Sequence, residues 1–173
     1  MQCDSVQENR DPIAMKTSTQ AIAALVDACE PDSIVAVGER AQAIAQRWQD
    51  THGQCQLTCL DATDTAEGLS LPRTQDLALV TDSLEHLSHS AGQTLIGQLR
   101  NYGTRQIGVL VTDGVGWNLT DFIGLGFRRQ ARIEEDGHGR TLYTYNISNY
   151  NHKRDWNNPR FWANPEMWGK AWW

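Results

Sequence analysis

Side chains with catalytic and ligand-binding potential follow an apolar run near the middle of the chain. Residues 77–80 are apolar, and Asp82, Ser83, Glu85 and His86 come directly after them. A histidine beside a glutamate suits general acid–base catalysis, so Glu85 and His86 are candidate catalytic residues. The same two side chains suit a purely structural role, in which they cap the next segment while the neighbouring leucines enter the core. Both interpretations stay open from these residues alone.

A second group of polar residues follows two other apolar runs. Gly38, Glu39 and Arg40 come after residues 33–37, and Asp61 ends the run at residues 55–60. Glu39 and Arg40 suit either an internal salt bridge or the binding of an anion at the start of a helix. Asp61 is an acceptor of hydrogen bonds at the end of its run.

Hydrophobic periodicity predicts the elements that position these residues. Short apolar runs rich in β-branched residues are typical of strands buried on both faces, and Ser18 or Thr19 can cap the first helix. The predicted order is a helix to residue 29, a strand at 33–37, a helix at 41–50, a strand at 55–60, a linker at 62–75, a strand at 77–80, a helix at 91–101, a strand at 106–111 and a hairpin at 128–134 and 140–147.

Alternation of strands and helices predicts an α/β fold with helices on both faces of the sheet. Right-handed crossovers make such a sheet mostly parallel. The C-terminal hairpin, with a turn at residues 135–139, adds an antiparallel strand and makes the sheet mixed. Because parallel strands end at one edge, Asp61, Asp82 and the loop at Gly38 are expected to meet there.

Length and composition indicate the number of domains and the cellular compartment. The 173 residues suit one domain, which we place at residues 15–148, between a flexible leader at 1–14 and an extension at 149–173. A net charge of −6 argues against a nucleic-acid partner. Neither an apolar membrane span nor a secretory signal is visible, so we predict a cytoplasmic protein with reduced thiols.

Cysteines and histidines give no pattern typical of a metal site. Cys55 and Cys59 are four residues apart but lack zinc ligands at suitable spacing, and we predict that the cysteines are small buried residues. The scattered histidines are predicted to face solvent, namely His52, His89, His138 and His152.

The extension at residues 149–173 differs from the rest of the chain because it holds five of the seven tryptophans. Large aromatic side chains bury much area and can anchor a segment without regular structure onto its own domain. They are also enriched in protein interfaces, so a protein partner or a second copy of the chain is the alternative occupant. Stacking on nucleic-acid bases is a third interpretation, which the acidic chain disfavours.

From about residue 18 to residue 148 the chain resembles a class I S-adenosylmethionine-dependent methyltransferase domain. Three pieces carry the resemblance: residues 33–38 before a helix, residues 76–87 with the sequence DLALVTDSLEHL, and residues 122–127 with the hairpin after them. The resemblance implies a Rossmann-like methyltransferase-type sheet. It also implies S-adenosylmethionine as cofactor, held near Gly38, Glu39, Asp61, Asp82 and Ser83, with Asp61 on the ribose hydroxyls.

Two departures from the family's pattern separate two functional hypotheses. The first loop carries one glycine where the family carries several, and the linker at residues 62–75 is short for a helix and a third strand. The first hypothesis is therefore a non-catalytic binding module with a degenerate cofactor site. The alternative is an active methyltransferase with an unusual loop. A different alignment, in which residues 55–60 are the family's third strand and the second is missing, also stays open.

Overall fold

The computed structural model describes residues 17–62, 69, 71, 73–150 and 170. The predicted leader and nearly all of the tryptophan-rich extension lie outside these residues, so the predicted domain limits stay predictions. Within the described part, no helix is long and apolar enough to cross a membrane.

Six strands form one mixed sheet in the order β2-β1-β3-β4-β6-β5. The first four strands are parallel, and β6 is antiparallel to both of its neighbours. The predicted mostly parallel α/β sheet with an antiparallel hairpin is therefore confirmed. The strands are β1 (Ser33–Val37), β2 (Gln56–Leu60), β3 (Gln75–Thr81), β4 (Thr104–Thr112), β5 (Arg128–Glu135) and β6 (His138–Asn146).

Helices cover both faces of the sheet. Helices α1 and α2 pack on one face, and α3 and α4 pack on the other. Interior strands are buried on both sides for this reason, and β1 is buried at each of its five positions. The helices are α1 (Ser18–Cys29), α2 (Glu39–Thr51), α3 (His89–Gln98), α4 (Leu119–Gly124) and the short α5 (Ile147–Tyr150).

The cap of α1 and the end of α3 differ from the sequence-based prediction, and α2 and α3 each begin two residues earlier than predicted. Thr17, rather than Ser18 or Thr19, caps α1 and accepts a hydrogen bond from the backbone N–H of Gln20. The helix predicted at residues 91–101 ends earlier and continues as a π-helical turn, Leu99–Gly103. The Thr104 hydroxyl donates to the Leu99 carbonyl at 3.1 Å, which satisfies a carbonyl at this irregular end.

The C-terminal hairpin turns at Asp136 and Gly137, which have φ values of 54° and 74°. Two consecutive positive φ values are typical of the type I′ turn that matches the twist of a hairpin. The hairpin places β6 beside β4 and leaves β5 at the edge of the sheet. The start of β6 therefore lies at the carboxyl ends of the parallel strands, where Arg140 pairs with Thr112.

Strand β2 lies at the other edge, directly beside β1. Leu60 pairs with Val37, so Asp61 follows at the level of Gly38. This register gives β2 the position of the family's second strand, which argues against the alignment in which the second strand is missing. The edge position also leaves Cys59 exposed, so the prediction of a buried thiol is wrong there, whereas Cys55 is buried as predicted.

Candidate functional site

The carboxyl ends of the parallel strands meet at one edge of the sheet, as predicted. Gly38 follows β1, Asp61 follows β2, and Asp82 with Ser83 follows β3. The hairpin brings Glu135 and Arg140 to the same edge because β6 begins beside the end of β4. This edge is the candidate site.

Gly38 is the whole connection between β1 and α2. Its φ of +95° suits glycine, and a Cβ atom at this position would lie 1.8 Å from the Thr81 carbonyl oxygen. The backbone of the first loop therefore already packs against the end of β3. The resemblance implied a longer loop with several glycines, whereas the first turn of α2 begins one residue after the strand.

Thr81 and Ser83 complete the polar contacts of this junction. The backbone N–H of Ala41 donates to the Thr81 hydroxyl at 2.9 Å, and the Ser83 hydroxyl donates to the Thr81 carbonyl at 2.8 Å. Gly38 caps α2 without a side chain, so the Thr81 hydroxyl satisfies one of the free N–H groups in the first turn. Ser83 is buried, and its hydroxyl proton is used in this hydrogen bond.

A network of charged and hydroxyl side chains spans the rest of the edge, and we call it the carboxyl-edge network. It joins the starts of α1 and α2 to the loop after β3 and to the hairpin. Its members are Ser18, Arg40, Asp82, Glu135 and Arg140.

Arg40 is at the centre of the carboxyl-edge network. Its guanidinium donates to the Ser18 hydroxyl at 2.5 Å, lies 3.5 Å from Glu135 Oε2, and has its Nε 3.8 Å from Asp82 Oδ2. The side chain is only 24% exposed. The alternatives inferred from the sequence paired Arg40 with Glu39 or with an external anion. The structure corrects the first, because Glu39 is exposed and both ion pairs of Arg40 join it to other elements.

Glu135 accepts hydrogen bonds from the side chains of Ser18, Arg40 and Arg140. The Ser18 hydroxyl donates to its Oε2 at 2.5 Å, and the Arg140 guanidinium donates to the same oxygen. The Ser18 hydrogen bond, followed by the charges of Arg140 and Arg40, lowers the pKa of the Glu135 carboxyl from its ordinary value of 4.5, although desolvation opposes the shift. Glu135 is therefore the anionic centre that holds two arginines at this edge.

Asp61 stands apart from the carboxyl-edge network. It is exposed, and its carboxylate makes no hydrogen bond or ion pair with any other residue in the described ranges. Its place beside Gly38 is the one that the resemblance assigned to the ribose contact. Asp61 is thus a predicted cofactor residue whose carboxylate has no partner among the described residues.

The side chains of Glu85 and His86 make no hydrogen bond to each other in the described part of the chain. Glu85 Oε1 accepts a hydrogen bond from the backbone N–H of Thr112 at 2.9 Å, and the backbone N–H of His86 donates to the Ser83 carbonyl. Leu84 is buried in the core. These contacts match the structural interpretation of the segment, in which its polar residues order the loop after β3.

His89 and Asp113 both contact neighbouring elements. His89 was predicted to face solvent and is 43% exposed, but its ring packs on Trp117 at 4.5 Å between centroids and lies 3.5 Å from Asp121. Asp113 accepts hydrogen bonds from Arg132 at 3.0 Å and from Thr141 at 2.7 Å. Asp113 therefore fixes the hairpin to the end of β4.

Ser18, Thr81, Glu135 and Arg140 are the site residues that sequence reasoning missed. Each contacts residues far away in the chain; Ser18 and Glu135, for example, are 117 positions apart. The sequence pointed to these residues only indirectly. A largely buried Arg40 requires acidic partners, but the sequence does not show which acidic residues these are.

Solved structures with a similar fold include methyltransferases. The methyltransferase domain of bacterial CtHen1-C is 9% identical with a TM-score of 0.51, and the match covers 75% of this chain and 96% of that chain. Magnesium protoporphyrin IX methyltransferase (ChlM) from Synechocystis PCC 6803, solved with bound SAM, is 14% identical with a TM-score of 0.48, and the match covers 73% and 76%. No curated protein sequence matches the chain significantly.

The fold is that of the class I S-adenosylmethionine-dependent methyltransferases, as the resemblance implied. At these identities the likeness concerns the fold alone. Residues 16–173 match a family described as "Family of unknown function (DUF6231)", and the chain belongs to that family. The match includes the tryptophan-rich extension.

Proposed function

We propose that this protein is a methyltransferase-like domain that does not bind S-adenosylmethionine and serves as a non-catalytic binding module. The observation that carries the proposal is the position of Arg40, whose side chain lies between Ser18, Asp82 and Glu135 at the carboxyl edge. The cofactor-binding role that the resemblance assigned to Asp82 requires that aspartate to face a ligand. Here Asp82 faces Arg40.

The loop at Gly38 supports the same proposal. A glycine loop binds a cofactor by bringing free backbone N–H groups close to it. In this chain the connection is one residue long, and the N–H of Ala41 is already bound to Thr81. The first turn of α2 therefore has fewer donors to offer than the family's loop.

The contacts of Arg40 set the approximate free-energy cost of displacing its side chain for a cofactor. A ligand that displaced Arg40 would break a short hydrogen bond to Ser18 and two ion pairs, and hydrogen bonds to charged groups contribute about 1.5–3 kcal/mol each. Loss of one such contact weakens binding roughly tenfold to a hundredfold. Together with the short loop, this penalty favours the loss of cofactor binding.

The alternative is an active S-adenosylmethionine-dependent methyltransferase. One observation favours it, since the carboxylate of Asp61 has no partner among the described residues and lies at the level of Gly38. In this alternative Asp61 holds the ribose and Arg40 moves aside when the cofactor enters. Catalysis would then depend on residues other than Glu85, whose carboxylate is bound to Thr112.

Calorimetry with S-adenosylmethionine and S-adenosylhomocysteine separates the two functions. We expect no detectable heat with the wild-type protein at millimolar ligand, and a micromolar Kd would refute the non-catalytic proposal. In that event Asp61→Ala is expected to lose about 1–3 kcal/mol of binding, the cost of unpaired ribose hydroxyls.

An Arg40→Ala variant tests the specific cause. Binding by Arg40→Ala but not by the wild type would identify the arginine as the group that excludes the cofactor. If neither the wild type nor Arg40→Ala binds the cofactor, the short loop at Gly38 also contributes to the loss of binding. Arg47→Ala, a substitution in the same helix but away from the carboxyl edge, is the matched control for removal of a positive charge.

A further inference from the structure

A polar cleft opens at the opposite, amino edge of the sheet. It has a volume of about 270 Å³ and lies between the end of α1, the starts of β3 and β4, and the end of β6. The residues that matter for its chemistry are Glu30, Asp32, Asp76, Arg105, Asn146 and Ser148. It is separate from the carboxyl-edge network, because the two lie at opposite ends of the strands.

The cleft has an excess of negative charge. Three of its residues are acidic, and Arg105 is the opposing charge, 70% exposed and 3.8 Å from Asp76. Glu30 and Asp32 form no ion pair within the described part of the chain.

The negative charge of the cleft also affects the pKa values of two nearby thiols, Cys29 and Cys55. Burial raises the pKa of Cys29 and the charge of Asp76 raises it further; burial, Asp32 and Asp76 do the same for Cys55. The negative field at the amino edge is therefore only partly compensated by Arg105.

The chain continues into its tryptophan-rich extension at the rim of this cleft. Asn146 and Ser148 line the cleft, and α5 ends two residues later at Tyr150. Lys153 and Arg154 follow within six residues of Ser148, a reach of at most about 20 Å. Two consecutive positive charges are thus tethered close to the acidic cleft.

The extension has the complementary charge. Residues 151–173 contain four basic residues, Lys153, Arg154, Arg160 and Lys170, and two acidic ones, Asp155 and Glu166, so the net charge is +4 − 2 = +2. The rest of the chain is acidic, since the whole carries −6. The family match extends to residue 173 and therefore includes this segment.

We propose that residues 151–173 dock on their own domain at the amino-edge cleft, with Lys153 and Arg154 against Glu30 and Asp32. The short tether gives these charges a high effective concentration at the cleft, so ion pairs that are weak between separate molecules become populated. The first contact orders the start of the segment, and the tryptophans then bury apolar surface beyond it.

Hydrogen–deuterium exchange of the full chain tests this docking. In the wild type, amides just after Tyr150 are expected to exchange about tenfold or more slowly than in an unstructured peptide. The double substitution Glu30→Lys with Asp32→Lys removes the attraction and restores fast exchange, and so does Lys153→Glu with Arg154→Glu. Combining all four substitutions swaps the charges and is expected to recover the protection.

Controls distinguish this docking from other arrangements. Glu39→Lys with Glu134→Lys reverses two exposed acids at the opposite edge and is expected to leave the protection unchanged. Fast exchange in the wild type, or protection unaffected by the Glu30 and Asp32 substitutions, would overturn the proposal. Protection that disappears on tenfold dilution would also overturn it, because that result assigns the docked segment to a second copy.

Discussion

The Thr81 hydroxyl accepts a hydrogen bond from the backbone N–H of Ala41 at 2.9 Å, joining the end of β3 to the first turn of α2. The bond is buried and spans 40 positions in the chain. It replaces the side-chain cap that Gly38 cannot supply. A side chain from another element therefore caps the start of α2.

Thr81→Val is expected to lower the free energy of unfolding by about 1–2 kcal/mol. Valine keeps the shape and the strand preference of threonine but leaves the N–H of Ala41 buried without an acceptor. Urea unfolding measures the change. Thr58→Val on the edge strand β2 removes a hydroxyl that makes no hydrogen bond to another described residue, and this variant is expected to stay within about 0.5 kcal/mol of the wild type. Equal effects of the two substitutions would contradict this role of Thr81.

Gly38→Ala is expected to cost at least about 3 kcal/mol, enough to unfold a marginal domain. The new Cβ would lie 1.8 Å from the Thr81 carbonyl oxygen, and φ is +95°. Gly53→Ala is the matched control, because a Cβ there meets no atom within 4 Å. Thermal unfolding of both variants checks the prediction, and a Gly38→Ala protein as stable as Gly53→Ala would show that the loop adopts another conformation.

Two glycines of α3 are expected to respond in opposite directions to alanine. In Gly92→Ala the new Cβ would lie 2.5 Å from Trp117 Cζ2, so the indole must move, at a cost of about 1–3 kcal/mol. In Gly97→Ala the Cβ meets nothing within 4 Å, and higher helix propensity is expected to add up to about 1 kcal/mol of stability. Chemical unfolding gives the free energies, and near-ultraviolet circular dichroism reports the displaced indole. A stabilised Gly92→Ala protein would rule out this packing.

Glu135 is expected to make the stability depend on acid pH. Its pKa in the folded state lies below the ordinary value of 4.5, because of the Ser18 hydrogen bond and then the two arginines. The stabilisation is therefore complete above about pH 4.5 and is lost as the pH falls through the folded-state pKa. Glu135→Gln is expected to flatten the stability profile in this acidic range.

Glu134→Gln is the matched control for that experiment. Glu134 is the adjacent residue and is 70% exposed, 3.8 Å from Arg132 at the surface. Exposed ion pairs contribute little, so its substitution is expected to leave the acid profile nearly unchanged. Identical profiles for wild type and Glu135→Gln would show that Glu135 is not the group that titrates.

Local patterns predicted the sheet and its edge well. The runs at Ser33–Val37 and Gln75–Thr81 are rich in Val, Leu, Ile and Ala, and such runs form strands buried on both faces. The hairpin was predictable from Asp136 and Gly137, because few residue pairs accept two positive φ values. Gly38 was also identified, since the end of a buried strand before a helix marks a loop.

Side-chain partners were less predictable than the elements. Arg40 contacts Glu135 across 95 positions, and no local period encodes such a distance. The cap of α1 was misplaced by one residue because Ser18, Thr19 and Thr17 are all suitable caps, and the choice depends on Ser18 being held by Glu135. The π-helical turn after α3 likewise depends on Thr104, a contact outside the helix.

The bond between Ser18 and Glu135 has a consequence for the order in which the chain folds during synthesis. Helix α1 leaves the ribosome before the hairpin that completes its polar contacts, because Glu135 follows Ser18 by 117 positions. At a translation rate of roughly 5–20 residues per second, Glu135 is synthesised on the order of 6–23 seconds after Ser18. A long loop must also close before that contact forms, which slows folding. The nascent chain thus passes through a stage in which Ser18, Arg40 and Asp82 have been synthesised but Glu135, the acceptor that joins Ser18 and Arg40 to the hairpin, has not.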